Sequence, residues 1–310
     1  METISESTNM LQSLSQDLAR VVERVSTAVV AINARRHSSS SGVCWRDGVI
    51  VTAAHTLRRT EDISVTVPSG QTVAATLAGV DPSTDIAVLK IDSEDISAPP
   101  FGDTAQLKVG HVVLAVGRGA QRGLNASLGI VGVLSGAWRT WHGGLIDQFI
   151  GLNLDLHPGA AGGPLADANG NVLGINTLGL SRRIALTIPV STVNRVVGKL
   201  LEKGHIGRGY LGLGLRPIEL PEDLKRTLQP SVDAGLIVVS VEPDGPGGKA
   251  SVLFGDVIVA LGGAAVSNLR DLQASLEPES VGKTIPLSII RGGKPVEVNV
   301  TIGERKRRTT

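Results

Sequence analysis

The chain has 310 residues, with 30 Lys and Arg against 29 Asp and Glu, so its net charge is only +1 and a nucleic-acid binder is disfavoured. Glycine is abundant at 38 residues and aromatics are scarce, which implies many turns and small-residue contacts. The single cysteine, Cys44, excludes an internal disulfide and reads as a small core residue, and no paired Cys/His clusters form a zinc module.

In chain order, Leu11, Leu14, Leu18, Val21, Val22 and Val25 recur at spacings of three and four within Asn9 to Val25. That spacing predicts an amphipathic helix. No basic segment followed by an apolar one opens the chain, and no apolar run approaches the roughly 18 residues a membrane span needs. The expectation is no membrane span and, for the chain as written, a cytoplasmic location; a trimmed leader would instead mean the periplasm or another extracytoplasmic compartment. A Ser-rich loop follows at His37 to Gly42, and short apolar or alternating runs then continue to about Pro189. Among them are Gly48 to Thr52, Ile63 to Val67, Asp85 to Lys90, His111 to Ala115, Gly129 to Val133 and Asn171 to Ile175. Short strands broken by Gly, Asp, Asn and Pro predict an all-β barrel or sandwich pair.

Ser191 is expected to cap a helix carrying Val193, Val196, Val197, Leu200 and Leu201, ended by Gly204. Beyond Gly207 the pattern reads as strand Tyr210 to Leu215, short helix Pro221 to Leu228, strands Leu236 to Val241 and Asp256 to Ala260, helix Asn268 to Leu276, and strands Ile285 to Ile290 and Val296 to Ile302. This is a compact α+β module. Arg305 to Arg308 reads as a solvated basic tail.

Three strings can carry chemistry. Val51-Thr-Ala-Ala-His55 delivers an imidazole to the end of a strand, although a lone histidine there is more often packed or solvated. Ser83-Thr-Asp-Ile-Ala-Val-Leu-Lys90 puts Asp85 at the opening of a strand, where alone it reads as a turn residue or cap. His157-Pro-Gly-Ala-Ala-Gly-Gly-Pro-Leu165 has the glycines of a tight turn whose N–H groups converge on one point.

Together these strings resemble the HtrA/Deg family of chymotrypsin-like serine proteases, whose corresponding segments read T-N-A-H, T-D-[IL]-A-V-L-K and N-P-G-N-S-G-G-P-L. Gly174-Ile-Asn-Thr177, Thr187-Ile-Pro-Val190 and Gly207-Arg-Gly-Tyr-Leu-Gly212 match further landmarks of the family. The resemblance covers nearly the whole chain and implies a mainly β architecture, a chymotrypsin-like double β-barrel followed by an α+β PDZ domain. The expected domains are an N-terminal amphipathic helix over 1–25, a trypsin-like protease domain over 26–207, a PDZ domain over 208–304 and a basic tail over 305–310.

By position, the resemblance makes His55 the general base, Asp85 the group orienting it, and the N–H groups of Gly159 and Ala161 the oxyanion hole. The nucleophile position holds Ala161 in place of the family's serine. Because a methyl group cannot attack a carbonyl, the chain as written is expected to bind substrate without turnover. Ala53, His157 and Ala160 also stand where the family usually has Asn. Intact His55, Asp85 and Gly162-Gly163 fit a deliberate Ser→Ala replacement; a natural pseudoprotease, expected to lose His55 or Asp85 too, is the other origin.

Leu154-Asp-Leu156 should line the primary specificity pocket. Leu156 fits a small or medium apolar side chain, whereas Asp155 would favour a basic one if it faced the pocket. In the PDZ module Tyr210, Leu211, Gly212 and Leu213 would form the loop receiving a peptide C-terminus. The implied function is serine endopeptidase action in quality control of unfolded or damaged proteins, disabled here at Ala161. The alternative is a non-catalytic, chaperone-like peptide-binding PDZ protein. The implied partners are unfolded polypeptides, C-terminal peptides at the PDZ domain, and further copies in a homotrimer or higher oligomer; neither cofactor nor metal is called for. Gly207 to Gly212 spells G-x-G-x-x-G but follows a helix and is not read as a nucleotide site. Trp138 and Trp141 read equally as a regulatory loop or as loop anchors.

Overall fold

A computed structural model describes residues 2–34, 39–93, 95–120, 123–157, 159–181, 183–207, 209–225 and 232–304. His37, the end of the expected helix near Leu228 and the basic tail lie outside the described residues. The chain divides into two compact units, 1–206 and 207–310.

The first unit opens with helix α1 (Glu2–Ser26). Strands β1 (Val29–Asn33), β2 (Ser40–Arg46), β3 (Val49–Ala53), β4 (Ile63–Thr66), β5 (Thr72–Asp81) and β6 (Ile86–Ile91) close a barrel in the order β1-β2-β3-β6-β5-β4. A second set follows: β7 (Val112–Gly119), β8 (Gly123–Ser135), β9 (Trp138–Arg139), β10 (Leu145–Ile146), β11 (Phe149–Asn153), β12 (Pro164–Asp167), β13 (Val172–Thr177) and β14 (Leu186–Pro189). Of these, β9 and β10 form a small hairpin, and the rest close a barrel in the order β11-β14-β13-β12-β7-β8. Two closed six-stranded barrels are the chymotrypsin fold.

The apolar runs Val29 to Ile32 of β1 and Val49 to Val51 of β3 alternate between two cores, which is why both faces of each run are apolar. Val30, Ile32 and Ile50 face the interior of the first barrel with Cys44 and Leu89. Their neighbours Val29, Val49 and Val51 face a larger core shared with Val116, Ile175 and Ile188 of the second barrel, Val25 of α1 and Val193 of the following helix. Strands β5 and β8 instead alternate between covered and exposed residues, as strands with one wet face do. Cys44 is buried, and burial, helped by Asp47, pushes its thiol up to about 11, so it behaves as a core residue.

Helix α2 (Val190–Lys203) ends as the sequence predicts: Gly204 adopts φ 74° and its N–H bonds to the Leu200 carbonyl at 2.8 Å. Its start differs. Ser191 is not the cap, because β14 pairs with β13 through Pro189 and runs directly into the helix, leaving Pro189 as the capping residue without a side-chain bond.

In the second unit, β15 (Gly209–Tyr210) is followed by β16 (Leu213–Glu219), α3 (Glu222–Lys225), β17 (Ala234–Val241), α4 (Pro246–Lys249), β18 (Val257–Leu261), β19 (Ala264–Ala265), α5 (Leu269–Ser275), β20 (Thr284–Arg291), β21 (Lys294–Thr301) and β22 (Gly303–Glu304). The main sheet runs β16-β17-β18-β20-β21, with β19 on β18, while β15 pairs with β22. Asn268 caps α5 in a reciprocal box with Asp271. Leu236, Ile258, Leu272, Leu287 and Val300 fill the core.

One charge pair braces this unit. Asp256, 2 % exposed, accepts from Arg291 Nε and Nη2 at 2.9 and 2.7 Å and from the Leu253 N–H at 2.8 Å. Burial opposes its ionisation, but Arg291 and the Leu253 amide outweigh it and hold the carboxyl below its ordinary value. A carboxyl lowered on folding adds stability above its unfolded pKa and loses it as pH falls through the folded value. Arg291→Met should therefore cost this unit about 2 kcal/mol at pH 7, read as faster amide exchange across β20 and β21. The difference from the unaltered chain should shrink as pH drops below about 4.

Candidate active site

Strand β3 ends at Ala53, and one helical turn, Ala54–Thr56, carries His55 just past the strand end, its side chain 32 % exposed. Asp85 does not open β6 but is the last residue of the preceding turn. Its φ of 59° lies in the left-handed region that non-glycine residues seldom enter. The surroundings hold it there. Its carbonyl accepts the Ala54 N–H at 2.9 Å, and its Oδ1 accepts the His55 N–H at 2.7 Å. Oδ2 lies 2.7 Å from His55 Nδ1 and also accepts a short hydrogen bond from Thr177 Oγ1. The turn itself is tied by Asp81, whose carboxylate accepts from the Ser83 N–H, the Ser83 hydroxyl and the Thr84 hydroxyl.

A buried, multiply bonded carboxylate against one imidazole nitrogen fixes the orientation of the ring. Gly179 completes the packing: a Cβ there would stand 2.7 Å from both Asp85 Oδ2 and His55 Nδ1, so no side chain fits.

The glycine-rich turn before β12 lies against the same end of β3. A Cβ on Gly162, which has φ 86°, would fall 2.2 Å from Thr52 Oγ1 and 2.4 Å from the Ser41 carbonyl. Only glycine allows that approach. Within the turn, the Ala160 N–H bonds to His157 O, Gly162 to Asn176 O, and Gly163 to Ala160 O. Among the described residues, the N–H groups of Gly159 and Ala161 have no protein acceptor; Gly159 has φ 92°. Ala161 contributes a methyl group, 8 % exposed.

A cleft of about 820 Å³ is bordered by Asp155 and Leu156, just before this turn in the chain, and by Leu178, Arg183 and Ile184. Both Asp155 and Leu156 therefore reach it; Leu156 is half-buried against the second barrel's core and Asp155 is exposed. In the second unit, Tyr210 to Leu213 lead into β16, an edge strand with α5 alongside. Gly247 of α4 presses on this loop, donating its N–H to Leu211 O at 2.7 Å, and a Cβ on Gly247 would meet Leu213 Cδ2 at 2.7 Å. The string at 207–212 thus joins a short strand to a longer one and opens no helix. Trp138 packs edge-on against Phe149 with centroids 5.3 Å apart, whereas Trp141 is 85 % exposed.

Thr177 and Gly179 were not legible as site residues. The only signal was Thr177's place in the string Gly174-Ile-Asn-Thr177; its partner Asp85 lies on the other barrel, out of reach of any local pattern.

A family model for the trypsin-like peptidase domain matches residues 40–175, and one for the PDZ domain matches residues 209–302. A curated relative, the probable periplasmic serine endoprotease DegP-like of Brucella suis biovar 1, is 36 % identical over 270 residues, 85 % of this chain and 52 % of the relative. The chain spans about half the length of the curated relatives it matches. Among solved structures, a serine-to-alanine form of the HtrA-type protease AlgW with a tripeptide is 31 % identical, with TM-score 0.74, covering 93 % of this chain and 97 % of that one. The serine endoprotease from Yersinia pestis is 28 % identical with TM-score 0.74, covering 93 % and 98 %.

Proposed function

Because the chain belongs to the HtrA/DegP-type trypsin-like serine proteases with one C-terminal PDZ domain, we propose that it is an endopeptidase scaffold for unfolded polypeptides whose turnover is blocked at Ala161. The observation that carries this reading is the His55–Asp85–Thr177 array together with a turn that has two N–H groups without an acceptor among the described residues and a methyl at the nucleophile position. His55 is the general base, Asp85 fixes and electrostatically supports its imidazole, and the Gly159 and Ala161 N–H groups receive the substrate carbonyl. With no hydroxyl to attack, the chain holds a peptide without cutting it. The intact remainder of the machinery supports the loss of a single serine in a working protease.

The cleft walls set the cleavage preference. Leu156, Leu178 and Ile184 are apolar, and Asp155 sits exposed at the border. An apolar side chain before the scissile bond therefore fits best. On the Ala161→Ser variant, peptides with Val at that position should be cut about tenfold faster than those with Arg; the reverse order would assign Asp155 as the specificity group.

The PDZ unit takes peptide C-termini on the open edge of β16, with the chain end at Tyr210 to Leu213. Relatives named as periplasmic support an extracytoplasmic site of action in place of the cytoplasmic one expected from the opening residues. Self-association, as a trimer or larger assembly, is supported by uncovered apolar surface. The stripe of α1 that buries Val21 and Val25 continues outward as Leu14, Leu11 and Met10, all more than half exposed, and β8 exposes Leu128 and Val133. A second reading, a peptide-holding protein without catalysis, rests on Ala161 alone and is separated from the first by the restored-hydroxyl assay below.

A further inference from the structure

A glycine-rich turn has many backbone states, and a peptide plane is held most firmly when both its carbonyl and its N–H are engaged. In this turn two planes are pinned at both ends, and Ser41 supplies one end of each. The Gly159–Ala160 peptide has its N–H on His157 O at 2.8 Å and its carbonyl on Ser41 Oγ at 2.7 Å. The Ala161–Gly162 peptide has its N–H on Asn176 O at 2.8 Å and its carbonyl on the Ser41 N–H at 3.2 Å. The plane between them is held through the Ala160 carbonyl, which accepts from Gly163 N–H at 3.0 Å. Among the described residues, the N–H groups of this turn left without an acceptor are those of Gly159 and Ala161.

Ser41 is itself fixed. It is fully buried on β2, opposite Ala31 of β1, and its carbonyl accepts the Thr52 hydroxyl at 2.7 Å. Its Oγ accepts the Arg118 N–H at 2.9 Å, which leaves its proton for the Gly159 carbonyl. Without the hydroxyl, the part-buried Gly159 carbonyl and Arg118 N–H would both lose this partner, a cost relieved by turning the Gly159–Ala160 plane.

We propose that Ser41 is a positioning residue: by holding the Gly159 carbonyl it keeps the turn in the state that presents the Gly159 and Ala161 N–H groups to a substrate carbonyl. The inference rests on reading those N–H groups as the oxyanion hole. It is tested twice. In the chain as it stands, a crystal structure of Ser41→Ala should show the Gly159–Ala160 peptide turned and Gly159 out of its left-handed φ, with both barrels unchanged. In the Ala161→Ser background, Ser41→Ala should lower kcat about 10- to 100-fold with KM within about threefold, and Ser41→Cys, which keeps a weak donor, should recover part of the loss. An unmoved turn together with unchanged kcat overturns the proposal. If Ala161→Ser proves inert, that counts against the protease reading, and the crystal structure alone decides Ser41. Should Ser41→Ala fail to fold, Ser41→Cys is judged by the same structure and kinetics.

Discussion

Replacing one methyl by a hydroxymethyl, Ala161→Ser, should yield an endopeptidase that degrades a permanently unfolded protein, whereas the unaltered chain should release no peptides. Loss of a nucleophilic serine from an otherwise complete triad costs about 10⁶ in kcat, so the gain should exceed about 10⁴-fold, or about 5.5 kcal/mol of barrier. The other parts need no rebuilding. His55 is already oriented by Asp85 at 2.7 Å, and the N–H groups of Gly159 and Ala161 have no acceptor among the described residues. One added oxygen at a position that is 8 % exposed is a small change for the fold, so the melting temperature should move by no more than about 2 °C. Initial rates of peptide release, with the unaltered chain and Ala161→Ser compared side by side, check both points. A folded variant that binds the unfolded protein and releases nothing would favour the peptide-holding reading.

In that restored background, Asp85→Asn should lower kcat about 10⁴-fold at neutral pH. Asn has nearly the same shape as Asp and is among the few non-glycine residues at ease in the left-handed region, so the φ of 59° imposes little extra strain. The loss then reports the charge and the acceptor set. Asp85 accepts from the His55 N–H, faces His55 Nδ1 and accepts from the Thr177 hydroxyl. An amide cannot satisfy all three, and it can stabilise the wrong imidazole tautomer while failing to stabilise the charged ring. KM should change little, because Asp85 is buried and so out of a bound peptide's reach. Steady-state kinetics over a substrate series separate the two parameters.

Much of the architecture was legible because it rests on local rules. The 3–4 spacing from Leu11 to Val25 and from Val193 to Leu201 marked both long helices, and Gly204 marked an end. His55, Asp85 and the turn around Ala161 were legible as strings whose residue types only a few chemistries require together. What escaped was set by tertiary pairing. Pro189 replaced Ser191 as the cap of α2 because a strand partner runs the chain straight into the helix. Asp85 left the strand for a strained turn because Ala54, His55 and Thr177, from elements distant in sequence, all bond to it. Ser41 sits in a serine-rich stretch that reads as loop, and only the closure of the barrels brings it under Gly159. Gly179 carried no signal of its own, since its constraint is the space already filled by the His55–Asp85 pair.

On the proposed reading, the site lacks only the nucleophilic oxygen of a serine protease. A fluorophosphonate probe tests it most directly, because stable modification needs an activated hydroxyl, a base and an oxyanion hole together and needs no knowledge of the substrate. Intact mass and peptide mapping of the Ala161→Ser variant should show one adduct per chain, on the hydroxyl introduced at position 161. The unaltered chain and a His55→Ala form of the variant should show none. A folded Ala161→Ser variant that stays unlabelled at that position, or labels equally well without His55, would contradict the account.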